Sequence, residues 1–143
     1  MPAAEHILFV TGKLAEPALR RVLADLAPSA GFTFDVAVMP ITVAALLTTP
    51  WVAKRLSVPA GTSRVILPGL CNGELADIER VAGVPVTRGP ADLRQLPELF
   101  GKASGPPAGY GAWDIEILAE INHAPRMPPA EIVALAKTHR TDG

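Results

Sequence analysis

Cysteine is nearly absent from this chain: Cys71 stands alone among 143 residues. An internal disulfide is therefore impossible, and no CxxC or mixed Cys/His spacing exists to build a zinc site. A reducing cytoplasm is the expected setting. Long hydrophobic runs are missing too, since no stretch approaches the ~18 uninterrupted apolar residues of a membrane helix. The opening Met1-Pro-Ala-Ala-Glu-His6 lacks the basic and apolar blocks of a secretory signal. Neither sign of charge dominates, with 13 Lys plus Arg against 14 Asp plus Glu. The basic residues are scattered rather than striped, so neither nucleic acid nor a membrane is the expected partner. Nucleotide fingerprints are absent as well. Thr11-Gly12-Lys13 has neither the earlier glycine nor the Gly-Lys-Ser/Thr order of a P-loop, and no GxGxxG follows the first apolar run.

What is present points to a globular α/β domain. Hydrophobic residues make up 49% of the chain, and the length allows one ordinary domain with a real core. The 15 prolines are about twice the usual ~5%. Pro40, Pro50, Pro59, Pro68, Pro85 and Pro90 stand where elements should end, as punctuation between them.

Residues 6–11 form an apolar run with the pattern of a strand buried on both faces. Leu19, Val22, Leu23 and Leu26 then repeat at helical spacing over residues 14–26, with Pro17 early enough to be tolerated. Residues 32–39 read as a second strand closed by Pro40. A short helix is expected over residues 41–47, with Thr42 as its N-cap, and further helical turns over 50–56. Residues 64–68 read as a third strand, and residues 74–82 as a helix stopped by Gly83. A fourth strand over 84–88 contains Pro85, which argues for an edge position. A helical segment to Phe100 follows Gly89-Pro90. Alternation of this kind predicts a Rossmann-like or flavodoxin-like parallel sheet, order 2-1-3-4, with flanking helices. The predicted domain covers residues 1–101. A Gly/Pro-rich linker over 102–111 separates it from residues 112–143.

In such a sheet ligands bind outside the carboxyl ends of the strands, at the switch point between strands 1 and 3. Three loops fall there: Thr11-Gly12-Lys13, Met39-Pro40-Ile41-Thr42, and Pro68 through Glu74. Two glycines, Gly69 and Gly73, flank Asn72 before a helix. Free N–H groups and the helix dipole can receive a phosphate or carboxylate there, with Lys13 adding a point charge. The competing reading is that Gly69 and Gly73 permit a tight turn and Asn72 caps the helix. Cys71 lies in the same loop, but no histidine is placed to serve as its base. His6 precedes the first strand, at the wrong end of the sheet.

The end of the chain reads as a strand, a polar loop and an amphipathic helix, the opening βα unit of a second parallel structure. Asp114, Glu116 and Glu120 alternate imperfectly with apolar residues, and Glu120, Asn122 and His123 gather at the strand's carboxyl end. Active-site groups of a (β/α)₈ barrel sit at such positions; an ordinary solvated strand end is the plainer reading. A βα unit needs a following strand, so the chain is expected to break off as this second domain begins.

Four stretches, residues 7–21, 64–74, 83–93 and 114–125, carry a family resemblance. They include Val10-Thr11-Gly12-Lys13, Pro68-Gly69-Leu70-Cys71-Asn72-Gly73 and Glu120-Ile121-Asn122-His123-Ala124-Pro125. Together they resemble the dihydropteroate synthase-related proteins of methanogens and methylotrophs, in which an uncharacterised α/β domain precedes a synthase-like barrel. The resemblance implies a place in tetrahydromethanopterin or folate-type pterin synthesis. The implied reaction joins a dihydropterin methyl diphosphate to an arylamine, with diphosphate leaving and Mg²⁺ assisting. By resemblance Asn122 matches the Asn that contacts diphosphate and metal, and Pro125 matches the loop's Pro. Arg126 stands where that loop has Asp, and an arginine there can meet phosphate directly. With only the first barrel unit present, this chain alone is expected to be inactive and to hold no cofactor of its own. A phosphate-binding or regulatory module and a homodimerisation domain are the alternative roles.

Overall fold

The computed structural model describes residues 4–104, 121 and 123–142. The chain divides into two compact units, Met1–Ser104 and Gly105–Gly143.

The first unit is built around β1 (Glu5–Thr11), whose residues Ile7, Leu8, Phe9 and Val10 are all buried. Four consecutive apolar side chains must point alternately to two faces, so both faces of this strand need cover. α1 (Glu16–Ala30) supplies it on one side and β2 (Phe32–Val38) returns parallel to β1. The chain then crosses back through α2 (Thr49–Ala53) to β3 (Arg64–Leu67), on the other flank of β1. α3 (Leu75–Ala82) leads on to β4 (Val86–Arg88) at the far edge. The sheet is thus four-stranded and parallel, in the order β2-β1-β3-β4. The expected order and class are what the structure shows.

Because the crossovers leave β1 in opposite directions and such crossovers are right-handed, their helices fall on opposite faces. The two cores follow this division. On one face Ile7, Phe9 and Ile66 pack with Leu19, Leu23 and Leu26 of α1. On the other, Leu8, Val10, Val65 and Leu67 pack with Val52 of α2 and Ile78 of α3. All four phenylalanines of the chain sit on the α1 side, where Phe32 stacks on Phe100 at 4.6 Å and Phe9 meets Phe34 edge-on at 6.4 Å. Each fully buried side chain of this size stabilises the fold by roughly 1.5–3 kcal/mol.

Local chemistry sets the ends of the elements. α1 continues four residues beyond the predicted 26, to Gly31 in the left-handed region (φ 77°), whose amide donates to Ala27 O at 2.9 Å. Pro85 stays outside the shortened β4 but still accepts from Val65 N at 3.0 Å, as an edge residue without an amide can.

Two expected helices need correction. Residues 41–47 contain only a 3₁₀ turn, Ala44–Leu46, and Thr42 does not cap it. The carbonyls of Ile41 and Thr42 accept instead from Lys13 N and Leu14 N, at 2.9 and 3.0 Å, so they cannot open a helix. The segment Leu93–Phe100 is also 3₁₀ rather than α. Pro97 has no amide to give an α-helix, and Leu93, Leu96 and Phe100 pack on the α1 face at three- and four-residue spacing. Asp92 caps this segment by accepting from Arg94 N at 2.9 Å. The Arg94 hydrogen bonds hold its carboxyl below the usual carboxylate range.

In the second unit the described residues form a 3₁₀ turn, Ala124–Arg126, and α4 (Pro129–Asp142). His123 enters the turn at φ 63°, the left-handed region that non-glycine residues occupy uncommonly. Arg126 is exposed. The expected barrel strand, with Asp114, Glu116 and Glu120, lies outside the described residues, as does Asn122. No helix among the described residues is long and apolar enough to cross a membrane.

The two-layer assignment has a direct test. Leu23→Ala, which empties a fully buried site under β1, is expected to cost about 2–5 kcal/mol. Leu14→Ala, on an exposed loop, should stay within about 0.5 kcal/mol. Urea unfolding measures both, and equal losses would contradict the assignment.

Candidate functional site

Opposite crossovers part the loops that leave β1 and β3, and a cavity of about 130 Å³ opens at their carboxyl ends. This is the switch point of a doubly wound sheet. Its floor is Phe9 and Ile66, and Leu19, Leu93 and Leu96 form the α1-side wall. Ala15 comes from the loop after β1, Ala44 and Ala45 from the turn after β2, and Pro90 and Ala91 from the loop after β4. Among the described residues no lining residue is charged, and Thr11 is the only one with a polar side chain.

Glycine at position 69 makes this arrangement feasible. A Cβ there would lie 2.4–2.5 Å from the Pro90 carbonyl group and Ala91 N, so only a bare backbone lets the loops after β3 and β4 meet. The loop after β1 is joined in the same way to residues 41–42, and a Cβ on Gly12 would lie 2.9 Å from Ala44 N. The frame is therefore held by main-chain contacts between loops, which leaves the side chains free to form an apolar lining.

Of the residues picked out from sequence, Thr11 and Gly69 line the cavity. Gly12 backs its wall without lining it. Lys13 is exposed, and Asn72 and Gly73 stand outside the lining. Asn72 does not cap α3: Glu74 occupies the cap position and makes no side-chain capping bond. The main chain of Asn72 is used instead as a tie, donating to Leu47 O at 3.1 Å and accepting from Thr49 N at 2.7 Å. Gly73, at φ 113°, leaves room for the Thr49 hydroxyl, which would lie 2.2 Å from a Cβ. Thr49 is fully buried and its hydroxyl donates to Asp77 Oδ2 at 3.2 Å. Of the expected phosphate cradle of Lys13, Gly69, Asn72 and Gly73, Gly69 lines this cavity and the other three do not.

Sequence reasoning missed two contributors. The loop Gly89-Pro90-Ala91 follows a parallel strand and so lies at the same sheet edge as the three loops considered. Topology alone pointed to it. Arg88, at the end of β4, is the second. Its Nε donates to Cys71 O at 2.8 Å and a terminal nitrogen donates to Gly73 O, pinning the loop after β3. A strand-end arginine carries no sequence signal for that role.

Cys71, within this loop, is buried. Burial pushes its thiol above the usual range, and the Arg88 charge offsets part of the effect. A protonated, enclosed thiol is a poor nucleophile. His6 lies at the opposite end of the sheet, where its ring bridges Thr33 Oγ1 at 2.7 Å and Asp35 Oδ2 at 2.9 Å. Among the described residues no group of three or more His, Cys, Asp or Glu is placed to hold a metal ion. Asn122, matched to a metal contact by resemblance, lies outside them.

A parallel sheet in the order β2-β1-β3-β4 with a cavity at the switch point defines a doubly wound α/β protein of the flavodoxin-like class. Within that class the chain belongs to a family of unknown function, DUF6513, whose model matches residues 5–91. The match runs from β1 to Ala91 and takes in the four loops that frame the cavity. A comparison with curated proteins gives no match.

Two outcomes are expected. Gly69→Ala should cost about 1–3 kcal/mol in urea unfolding, the usual range for overpacking; an unchanged midpoint would contradict the loop contact. The native state holds the Cys71 proton more tightly than the unfolded chain does. Its contribution to stability is thus fully present below the unfolded thiol's pKa of ~8.5 and is lost as pH rises through the higher folded value. Cys71→Ala should flatten the alkaline fall in stability, and an identical pH profile would contradict the assignment.

Proposed function

We propose that the first unit is a small-molecule-holding module of a dihydropteroate synthase-like protein of pterin cofactor synthesis, and that this chain does not catalyse the parent reaction alone. The observation that supports the holding role is the preformed cavity at the switch point. Ligand sites of doubly wound sheets occur there, and such sites are concave, mostly apolar and largely preformed. The pterin setting rests on the resemblance of residues 7–21, 64–74, 83–93 and 114–125.

The lining supports binding over chemistry. General acid–base work needs a group that titrates near the working pH within hydrogen-bond reach of the substrate. Thr11 offers a hydroxyl, and among the described residues no other side chain in the lining offers a proton. Cys71, the nearest nucleophile by sequence, is outside the lining and is held as a thiol. In the parent reaction an arylamine nitrogen displaces diphosphate from the pterin methylene, and catalysis consists of aligning the two reactants and stabilising the departing charge. By resemblance that work belongs to Asn122, Arg126 and the barrel they announce. The first unit would bind and retain a reactant or effector.

The test is an assay of the 143-residue chain with dihydropterin methyl diphosphate, an arylamine and Mg²⁺. No coupled product is expected, and turnover would overturn the assignment of chemistry elsewhere. Binding of either reactant, followed by amide chemical shifts, is expected to move Gly69 and Ala91 and to be unchanged in Lys13→Ala and Asn72→Ala. Loss of binding in both variants would restore the anion cleft as the site.

A further inference from the structure

We infer that the switch-point cavity takes an uncharged, ring-sized apolar group of a ligand whose apolar surface continues across the cavity mouth. The inference rests on the ligand-holding reading and narrows it to a chemical class.

Size is the first constraint. A site for a whole drug-sized ligand or nucleotide occupies roughly 300–1,000 Å³. A cavity of about 130 Å³ is close to the ~150 Å³ that holds benzene in an engineered protein cavity. One six-membered ring fits inside, and any larger ligand must continue out through the mouth.

Charge is the second. Moving an ionised group into a site without a counter-charge or hydrogen bonds costs far more than burial of its carbon returns. Among the described residues the lining contains no Lys, Arg or His. Lys13 is exposed beside the mouth, and Arg88 is engaged with the carbonyls of Cys71 and Gly73. The helix that opens beside the cavity does not compensate. Its first turn carries Glu16, and Pro17 removes one of its free amides. Polar recognition is limited to the hydroxyl-bearing Thr11 and to main chain such as Gly69, which suits one neutral hydrogen-bonding substituent on the ring.

The mouth supplies the third constraint. Of the seven exposed large hydrophobic residues among those described, Leu14, Val43, Leu46 and Leu70 stand on the three loops that leave β1, β2 and β3, between 40% and 72% exposed. Leu70 itself lines the cavity, Leu14 adjoins Ala15, and Val43 and Leu46 bracket Ala44 and Ala45. Leu14 N donates to Thr42 O at 3.0 Å, which holds two of these loops side by side. Isolated exposed aliphatics need no explanation, but a cluster around a cavity marks a binding surface. The ligand is therefore apolar both in the cavity and across its rim, and any charge it carries lies beyond Leu14 and Leu70.

Indole and inorganic phosphate are the probes, each titrated separately into the 143-residue chain and followed by amide chemical shifts. Indole is expected to move Thr11, Gly69, Leu70 and Ala91, with phosphate leaving them in place. Ala45→Leu and Ala91→Leu fill the cavity at exposed positions that do not threaten folding, and each should weaken indole binding by about ten-fold or more. Leu14→Ser with Leu70→Ser should weaken a 3-alkylindole more than indole itself. Phosphate binding at these amides, abolished by the filling variants, would overturn the ligand class and leave the holding role intact. Failure of both probes to move these amides would overturn the class and the holding role together. Equal losses for indole and its alkyl derivative in the rim variant would overturn the extension across the mouth.

Discussion

Burial of β1 on both faces is the constraint on which the rest of the structure depends. Ile7 through Val10 expose almost nothing, so a helix layer must cover each side, and a strand must flank β1 on each edge to satisfy its main chain. Meeting both demands with right-handed crossovers forces the chain out to β2 and then back past β1 to β3. That reversal parts the loops at the carboxyl ends of β1 and β3. The cavity is thus a consequence of how β1 is buried.

What lines the cavity follows from how the loops are held. All four loops are fastened to a neighbour through main-chain contacts: residues 13–14 to 41–42, residue 72 to 47 and 49, and Gly69 against Pro90-Ala91. Fastening by the backbone does not require polar side chains at the site, and the sequence places alanine, proline and leucine there. Arg88 completes the frame from β4 by binding two carbonyls of the loop after β3. Arg88 therefore serves as a strut, and the surface that the described lining offers to a ligand is carbon with one hydroxyl.

The fold was legible in the sequence because β1, α1 and β3 carry their burial in their own pattern. An uninterrupted apolar run reads as a two-sided strand, and Leu19, Leu23 and Leu26 read as a helix face. The elements that escaped are those decided by contacts distant in sequence. Residues 41–42 bond to residues 13–14, which converts an expected helix into a 3₁₀ turn, and Pro97 with the α1 face does the same for Leu93–Phe100. The candidate site was half legible. Topology named the sheet edge at which the cavity opens, and Thr11 and Gly69 are in its lining. Glycine, lysine and asparagine in that order, however, suggested an anion, because sequence alone does not show that Asn72 turns its main chain to residues 47 and 49 while Lys13 stays in solvent.

The central claim is that the first unit holds an uncharged ring where β1 and β3 part. A crystal structure of the chain soaked with indole tests it most directly. The account predicts the ring between Phe9, Leu19 and Ile66, with its polar atom toward Thr11 or Gly69. Ordered water or an anion in that space, with no ring bound, would contradict it.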